Sequence, residues 1–280
     1  MTAASGVFDG FEERLLERRG LRIRYFAAGE GRPLLLVHGF AGSAWNYAEL
    51  APLLAPRHRL LVPDLPGHGG SSGLPAAPNL AAYAEPLAAL CAAEGAAEVD
   101  VVGHSLGGAV VLRLAARRPE LVRRLVLAAA AGISSGTRAA EFFLTFFGLV
   151  QPGRLAARRP ELVARSPLLR RLVFPRFSVS DPASLSERAV VGLLRGPALH
   201  TDILSAANAL VREDPRADLH RVGCPVLCIW GARDEQVPVD DAFEYARRLR
   251  APLRVIADCG HLVIAERPAA CADAIATFLS

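Results

Sequence analysis

The chemistry in this chain centres on Ser105, which stands in Gly103-His104-Ser105-Leu106-Gly107 with Gly108 following. Apolar Val101-Val102 precedes the motif and a helical pattern begins at Leu106, so the serine occupies a strand-to-helix turn. A serine that attacks a carbonyl carbon must project its hydroxyl from such a turn. Small neighbours are needed because the backbone folds tightly, and glycine tolerates strained dihedrals. The helix that follows offers unpaired backbone N–H groups and a positive dipole end to an oxyanion forming beside it. Alone, the motif fits a glycine-rich turn equally well, so the partners of the serine decide.

Two stretches supply them. Trp230-Gly231-Ala232-Arg233-Asp234 follows the apolar run Pro225 to Trp230, and Cys259-Gly260-His261 follows the run Leu253 to Ile256. Loops at the C-terminal ends of parallel strands are where ligands gather in such sheets. A serine hydroxyl is a poor nucleophile without a base, and a neutral imidazole with a pKa of about 6.5 accepts its proton at pH 7. The carboxylate of Asp234 would hold the tautomer of His261 and stabilise the imidazolium.

The competitors read as structural. Asp240 and Asp241 suit the first turn of a helix, Asp258 belongs to a strand end, and Glu235 lacks the loop context of Asp234. His38, in His38-Gly39-Phe40, is too close to the first buried strand to act as the base. His58, His200 and His220 read as surface or packing residues, His68 as shaping its loop, and His104 as packing or hydrogen-bonding locally beside the nucleophile. The five cysteines, Cys91, Cys224, Cys228, Cys259 and Cys271, are odd in number and form no CxxC pair or His-rich cluster. They are expected to be free thiols in a reducing cytosol, with Cys259 inert.

The elements that must position these groups follow from periodicity. Glu12 to Arg18 and Leu21 to Ala27 alternate in polarity around Gly20 and read as a hairpin. Strands are expected at Pro33–Val37, Arg59–Val62, Asp100–Val102 and Leu121–Ala128. Helices are expected at Ser43–Leu54, Asn79–Ala93 and Leu106–Arg117. Short buried strands alternating with helices argue for a parallel sheet covered on both faces. From Ile133 to Leu219 the pattern is helical and punctuated by prolines, with no strong strand. The alternation resumes with a strand at Pro225–Trp230, a helix at Val239–Leu249, a strand at Leu253–Ile256, a loop and a last helix at Pro268–Phe278.

The bulk figures restrict the function classes. Of 280 residues, 52% are apolar and 21% charged, which suits a globular chain. The net charge is +4 and all 32 basic residues are Arg. These are scattered among 28 acids, so no nucleic-acid face is expected. Arg154, Arg158, Arg159, Arg165, Arg170, Arg171 and Arg176 make the insert basic, which reads as a solvated face or as steering for anionic substrates. No basic segment followed by an apolar stretch opens the chain, and no uncharged apolar run of about 18 residues occurs, so neither a signal peptide nor a membrane span is expected.

Taken together, LLLVHGFAGS, VPDLPGHGGSSG, VVGHSLGGAV, CIWGARDEQVP and CGHLVIAERP resemble the α/β-hydrolase fold family from about Leu21 to Phe278. That resemblance implies a mostly parallel eight-stranded sheet flanked by helices, with a helical lid inserted after the sixth strand. The core would comprise residues 1–132 and 220–280, and the cap 133–219. It implies a nucleophile, acid and base in the chain order Ser105, Asp234, His261. It assigns oxyanion-hole N–H groups to Phe40 and Leu106. Phe142, Phe143, Phe146 and Phe147 share one helical face, which either packs the lid or lines an acyl pocket. Trp45, Phe142, Phe143 and Phe146 are the candidate pocket residues. Dehalogenases and epoxide hydrolases of this fold use an Asp nucleophile, so Ser105 disfavours them. Carbon–carbon hydrolases often carry a glycine-rich oxyanion segment and a Trp after the catalytic His, where this chain has Phe40-Ala41-Gly42 and Leu262. An acyltransferase subunit would bring a lipoyl domain, which this sequence does not contain. The expectation is a cytoplasmic carboxylesterase, monomer or homodimer, acting on a small-molecule ester of a small or medium apolar acid; the alternatives are carbon–carbon bond, lactone or peracid chemistry on the same triad, and a non-catalytic binding module on the same scaffold. No cofactor and no metal are expected.

Overall fold

A computed structural model describes residues 7–74, 79–134 and 153–280. The opening hairpin pairs β1 (Glu12–Arg18) with β2 (Leu21–Ala28), and Arg19 and Gly20 turn between them with φ of 51° and 76°. Two consecutive positive φ values match the right-handed twist of the flanking strands. Then follow β3 (Arg32–Val37), β4 (His58–Pro63), β5 (Val99–His104), β6 (Val122–Ala128), β7 (Val226–Gly231) and β8 (Leu253–Ile256). They form one eight-stranded sheet in the order β1-β2-β4-β3-β5-β6-β7-β8. Only the β1–β2 and β2–β4 pairings are antiparallel.

The central strands are apolar because both faces are covered. Every residue of β5 and β7 is buried. Asp100 breaks the apolar run of β5, and the guanidinium of Arg123 compensates its charge. The covering helices are α1 (Ala51–Leu54), α2 (Leu80–Ala93) and α3 (Leu106–Arg117), then α9 (Val239–Leu249), α10 (Val263–Glu266) and α11 (Pro268–Leu279) near the C-terminus. Two local expectations are corrected. The helix expected over Ser43–Leu54 is a 3-10 turn, Ala44–Tyr47, followed by α1. Pro52, at the start of α1, has no N–H to continue a ladder from the preceding turn. The loop before the last helix contains α10, and Arg267 (φ −135°, ψ 57°) ends it ahead of Pro268.

Between β6 and β7 the regular elements are all helical among the described residues: α4 (Gly153–Ala156), α5 (Pro160–Arg165), α6 (Pro167–Val173), α7 (Glu187–Arg195) and α8 (Leu204–Arg212), with 3-10 turns between some of them. Pro160 and Pro167 stand at helix starts, where a missing N–H costs nothing. Val163, Phe174, Val179, Leu185, Val190 and Leu194 bury one another in a small core of their own. Arg170 is no part of a solvated basic face. It is 9% exposed and its guanidinium donates to the carbonyls of Ala164, Ala183 and Leu185, tying this core together.

A buried charge pair joins the hairpin to the loops around the sheet's upper rim. Arg24 Nε donates to Asp64 Oδ2 at 2.6 Å, and Asp64 also accepts the N–H groups of Ala44 at 2.7 Å and Gly70 at 2.8 Å. The guanidinium lies 4.6 Å from the Trp45 ring centre. Trp45 is therefore packed in the main core, against Phe26 and Arg24. Removing one member of a buried pair strands the other charge at a cost of about 3–5 kcal/mol, whereas an apolar replacement of both is often near neutral. Asp64→Ala is expected to lose that much unfolding free energy in urea titration, and Arg24→Met with Asp64→Leu to recover most of it. A single-variant loss below about 1 kcal/mol would contradict this role.

Candidate active site

Strand register sets the site before any side chain is considered. Val37 pairs with Gly103, His104 with Ala128, and Ala128 with Ile229, so the chain leaves β3, β5, β6 and β7 near one level of the sheet. Ser105 is the first residue beyond β5, with φ 53° and ψ −120°. The strained backbone is that of the serine itself. Gly103 and Gly107 lie outside the positive-φ region, contrary to the expectation that glycine absorbs the strain. They are required by proximity. A Cβ on Gly107 would collide with the carbonyl oxygens of Val37 and His38, and one on Gly103 with the Val111 side chain. The turn is held by Ser105 N–H to the Ala128 carbonyl at 3.1 Å, and by Gly108 and Ala131 N–H to the Ser105 carbonyl at 2.9 and 3.0 Å. Such strain persists only when its surroundings over-determine it.

Three side chains meet at this turn. His261 Nε2 lies 2.9 Å from Ser105 Oγ, and His261 Nδ1 lies 2.8 Å from Asp234 Oδ2. The other oxygen of Asp234 accepts the N–H groups of Gln236 and Val237, both at 2.9 Å, which fixes the carboxylate's orientation. Trp230 Nε1 donates to the Val237 carbonyl at 2.9 Å and anchors that loop to β7. All three members are buried. With the proton on Nδ1 facing Asp234, Nε2 presents a lone pair to the serine hydroxyl, the arrangement needed for proton removal.

The loop after β3 approaches the same turn. A Cβ on Gly39 would stand 2.8 Å from that of Ser105, so glycine lets the two loops touch. Neither the Phe40 nor the Leu106 amide is spent on a backbone acceptor among the described residues. His38 is buried and neutral. It accepts from Leu65 N–H at Nε2 and donates from Nδ1 to the Gly39 carbonyl, shaping the loop.

The remaining candidates sit elsewhere. Asp241 accepts from Ser134, Asp258 is exposed and pairs with Arg233, and Glu235 and Asp240 face solvent. Trp45 is buried, with its ring against Phe26 and Arg24. Phe142, Phe143, Phe146 and Phe147, and with them the aromatic part of the expected pocket, lie outside the described residues. Burial raises the Cys259 thiol well above its ordinary value. Among the described residues no group of three His, Cys, Asp or Glu side chains is placed to hold a metal ion, and no helix is long and apolar enough to cross a membrane.

Two contacts to His261 escaped the sequence. His104 Nε2 donates to the His261 carbonyl at 2.9 Å, and the His261 N–H donates to the Ser178 carbonyl at 3.0 Å. The sequence allowed His104 a local hydrogen bond, and the partner instead lies 157 residues away. Ser178, a backbone acceptor in the segment between β6 and β7, left no signal at all.

The family model of the alpha/beta hydrolase fold matches residues 32–268. The chain belongs to the alpha/beta hydrolase fold family. This alpha/beta hydrolase is 30% identical over 284 residues to a 2-hydroxymuconate semialdehyde hydrolase of Pseudomonas sp. strain CF600, covering 93% of this chain and 91% of that protein. It is 31% identical over 255 residues to a dihydrolipoyllysine-residue acetyltransferase component of the acetoin cleaving system of Pseudomonas putida. That match covers 88% of this chain but spans only 64% of the relative's length. Among solved structures, an esterase from Rhodococcus sp. ECU1013 superposes with a TM-score of 0.76 at 24% identity, covering 96% of this chain and 98% of that one, a likeness of fold.

Two buried histidines give the alpha/beta hydrolase a defined acid response. Burial pushes His104 down to about 3 and His68 to about 4. Both stay neutral in the folded protein while the unfolded chain, with histidines near pKa 6.5, takes up protons. Below about pH 6.5 the unfolded state binds more protons, so unfolding free energy falls by up to about 1.4 kcal/mol per pH unit for each histidine until the folded values are approached. Above about pH 7 neither contributes a slope. Urea unfolding of His104→Gln between pH 4.5 and 7 is expected to show a slope about one proton shallower than the parent. An unchanged slope would refute a neutral His104.

Proposed function

We propose that this hydrolase cleaves carboxylic esters of small or medium apolar acids through an acyl-enzyme on Ser105. The supporting observation is the unbroken line of two hydrogen bonds from Ser105 Oγ through His261 to Asp234. His261 Nε2 takes the hydroxyl proton as Oγ attacks the carbonyl carbon. The tetrahedral oxyanion is received by the N–H groups of Phe40 and Leu106, each donor of this kind being worth about 100- to 1000-fold in rate. Imidazolium returns the proton to the leaving alcohol. Water, deprotonated by His261, then attacks the acyl carbon, and the acid leaves as Oγ regains its proton. Asp234 stays ionised throughout and stabilises the imidazolium. In this reading residues 1–132 and 220–280 carry the chemistry, residues 133–219 form a helical lid over the substrate, and the protein works in the cytoplasm.

A second reading, carbon–carbon bond hydrolysis on the same three residues, draws support from the semialdehyde hydrolase relative, matched over 91% of its length. Phe40-Ala41-Gly42 and Leu262 weigh against it. Ser105→Ala is expected to lower p-nitrophenyl butyrate turnover by at least 10,000-fold, leave the thermal midpoint within a few degrees, and abolish fluorophosphonate labelling. Retained turnover would refute the nucleophile. A wild-type kcat/KM for a ring-cleavage dienoate exceeding that for every ester in a chain-length series would replace the first reading by the second.

A further inference from the structure

Glu266 follows His261 by five residues, and the reaction above gives it no part. It is 7% exposed, and burial raises its pKa. Its carboxylate is aimed at backbone. Gly260 N–H lies 3.1 Å from both of its oxygens, and Ser180 N–H donates to Oε2 at 2.8 Å. One acceptor group thus joins the residue before the catalytic imidazole to the segment between β6 and β7. The same segment reaches back. The Ser178 carbonyl accepts the N–H groups of His261 at 3.0 Å and Leu262 at 3.3 Å. Ser178 Oγ accepts from the Gln236 side chain, and the Gln236 N–H is bonded to Asp234 Oδ1 at 2.9 Å. A Cβ on Gly260 would come within 2.8 Å of the Ser180 nitrogen, so the close seating needs glycine there.

We propose that Glu266 and the strap Ser178–Ser180 are positioning groups that hold His261 in line between Ser105 and Asp234. The helical segment then supplies part of the catalytic apparatus and does more than cover the substrate. This rests on the reading of Ser105, His261 and Asp234 as the reacting groups. The physical ground is directional. Loop residues have few ways to fix a ring against two hydrogen-bond partners at once, and a misplacement of about 1 Å costs on the order of 100-fold in rate. Here the backbone on both sides of His261 is fixed, through Gly260 by a buried carboxylate and through Leu262 by the strap.

The test compares Glu266→Ala with Glu266→Gln in the full chain. A glutamine carbonyl at the position of Oε2 still accepts both N–H groups, so Gln is expected within about threefold of the parent in kcat. Ala leaves both donors unpaired and is expected to lower kcat about 10- to 100-fold on p-nitrophenyl butyrate with KM within twofold. Titration with a fluorophosphonate should still label one serine per chain in Glu266→Ala, only more slowly. A reduced number of labelled sites with parental kcat per site would mean that Glu266 serves folding alone, and would overturn the proposal, as would Gln failing as badly as Ala. Should Glu266→Ala not fold, Glu266→Asp is read by the same criteria, its shorter reach leaving one donor unpaired. Ser105→Ala separates the two readings. If it keeps turnover, the triad reading falls. If it is dead while Glu266→Ala keeps parental kcat, only the positioning role falls.

Discussion

Two hydrogen bonds join groups 156 and 27 residues apart in the chain, and every other feature of the upper rim serves to keep them. The imidazole must meet a hydroxyl on one side and a carboxylate on the other, within a few tenths of an ångström. No single loop supplies that tolerance. The sheet does, because registers such as Val37 with Gly103 and Ala128 with Ile229 bring several strand ends to a common level. The serine then needs only a short projection beyond β5, and the cost of that projection is visible in its backbone at φ 53°. Carbonyl and amide bonds on both sides of the turn absorb it.

Proximity, not flexibility, explains the glycines of the motif. Gly103, Gly107 and Gly39 each stand where a methyl group would meet another segment of the rim. The turn at Ser105 and the loop after β3 are pressed together at Gly39. Electrostatics follow the same economy of space. Asp234 has its second oxygen filled by two amides, so its charge is directed at a single ring nitrogen. His38 and His104 are buried and neutral, and each spends a ring N–H on a nearby carbonyl, which leaves His261 as the histidine in contact with the serine.

The segment between β6 and β7 has two characters. Its own small core, closed by Arg170, makes it a packed unit. At Ser178 and Ser180 it is hydrogen-bonded to the loops that carry Asp234 and His261. The Asp64–Arg24 pair does related work on the other flank, where one buried carboxylate joins the hairpin, the turn after β3 and the loop after β4.

The sequence alone determined the alternation of buried strands with helices, the hairpin, the loop positions of Ser105, Asp234 and His261, and the helices among the described residues between β6 and β7. These depend on local period and on residue types, which a linear reading can reach. The structure brings Ser105, Asp234 and His261 within hydrogen-bond reach of one another. It packs Trp45 in the main core and Arg170 inside the insert, and it breaks the expected helix ahead of Pro52. The first two depend on which long-range neighbours cover a side chain, and an exposed and a buried arginine look alike in a sequence. Only the tertiary structure decided that the strain sits on Ser105 and not on its glycines, and that Glu266 and the Ser178 carbonyl brace the histidine loop. A backbone acceptor has no residue type to read, and close approach between segments a hundred residues apart leaves no spacing to count.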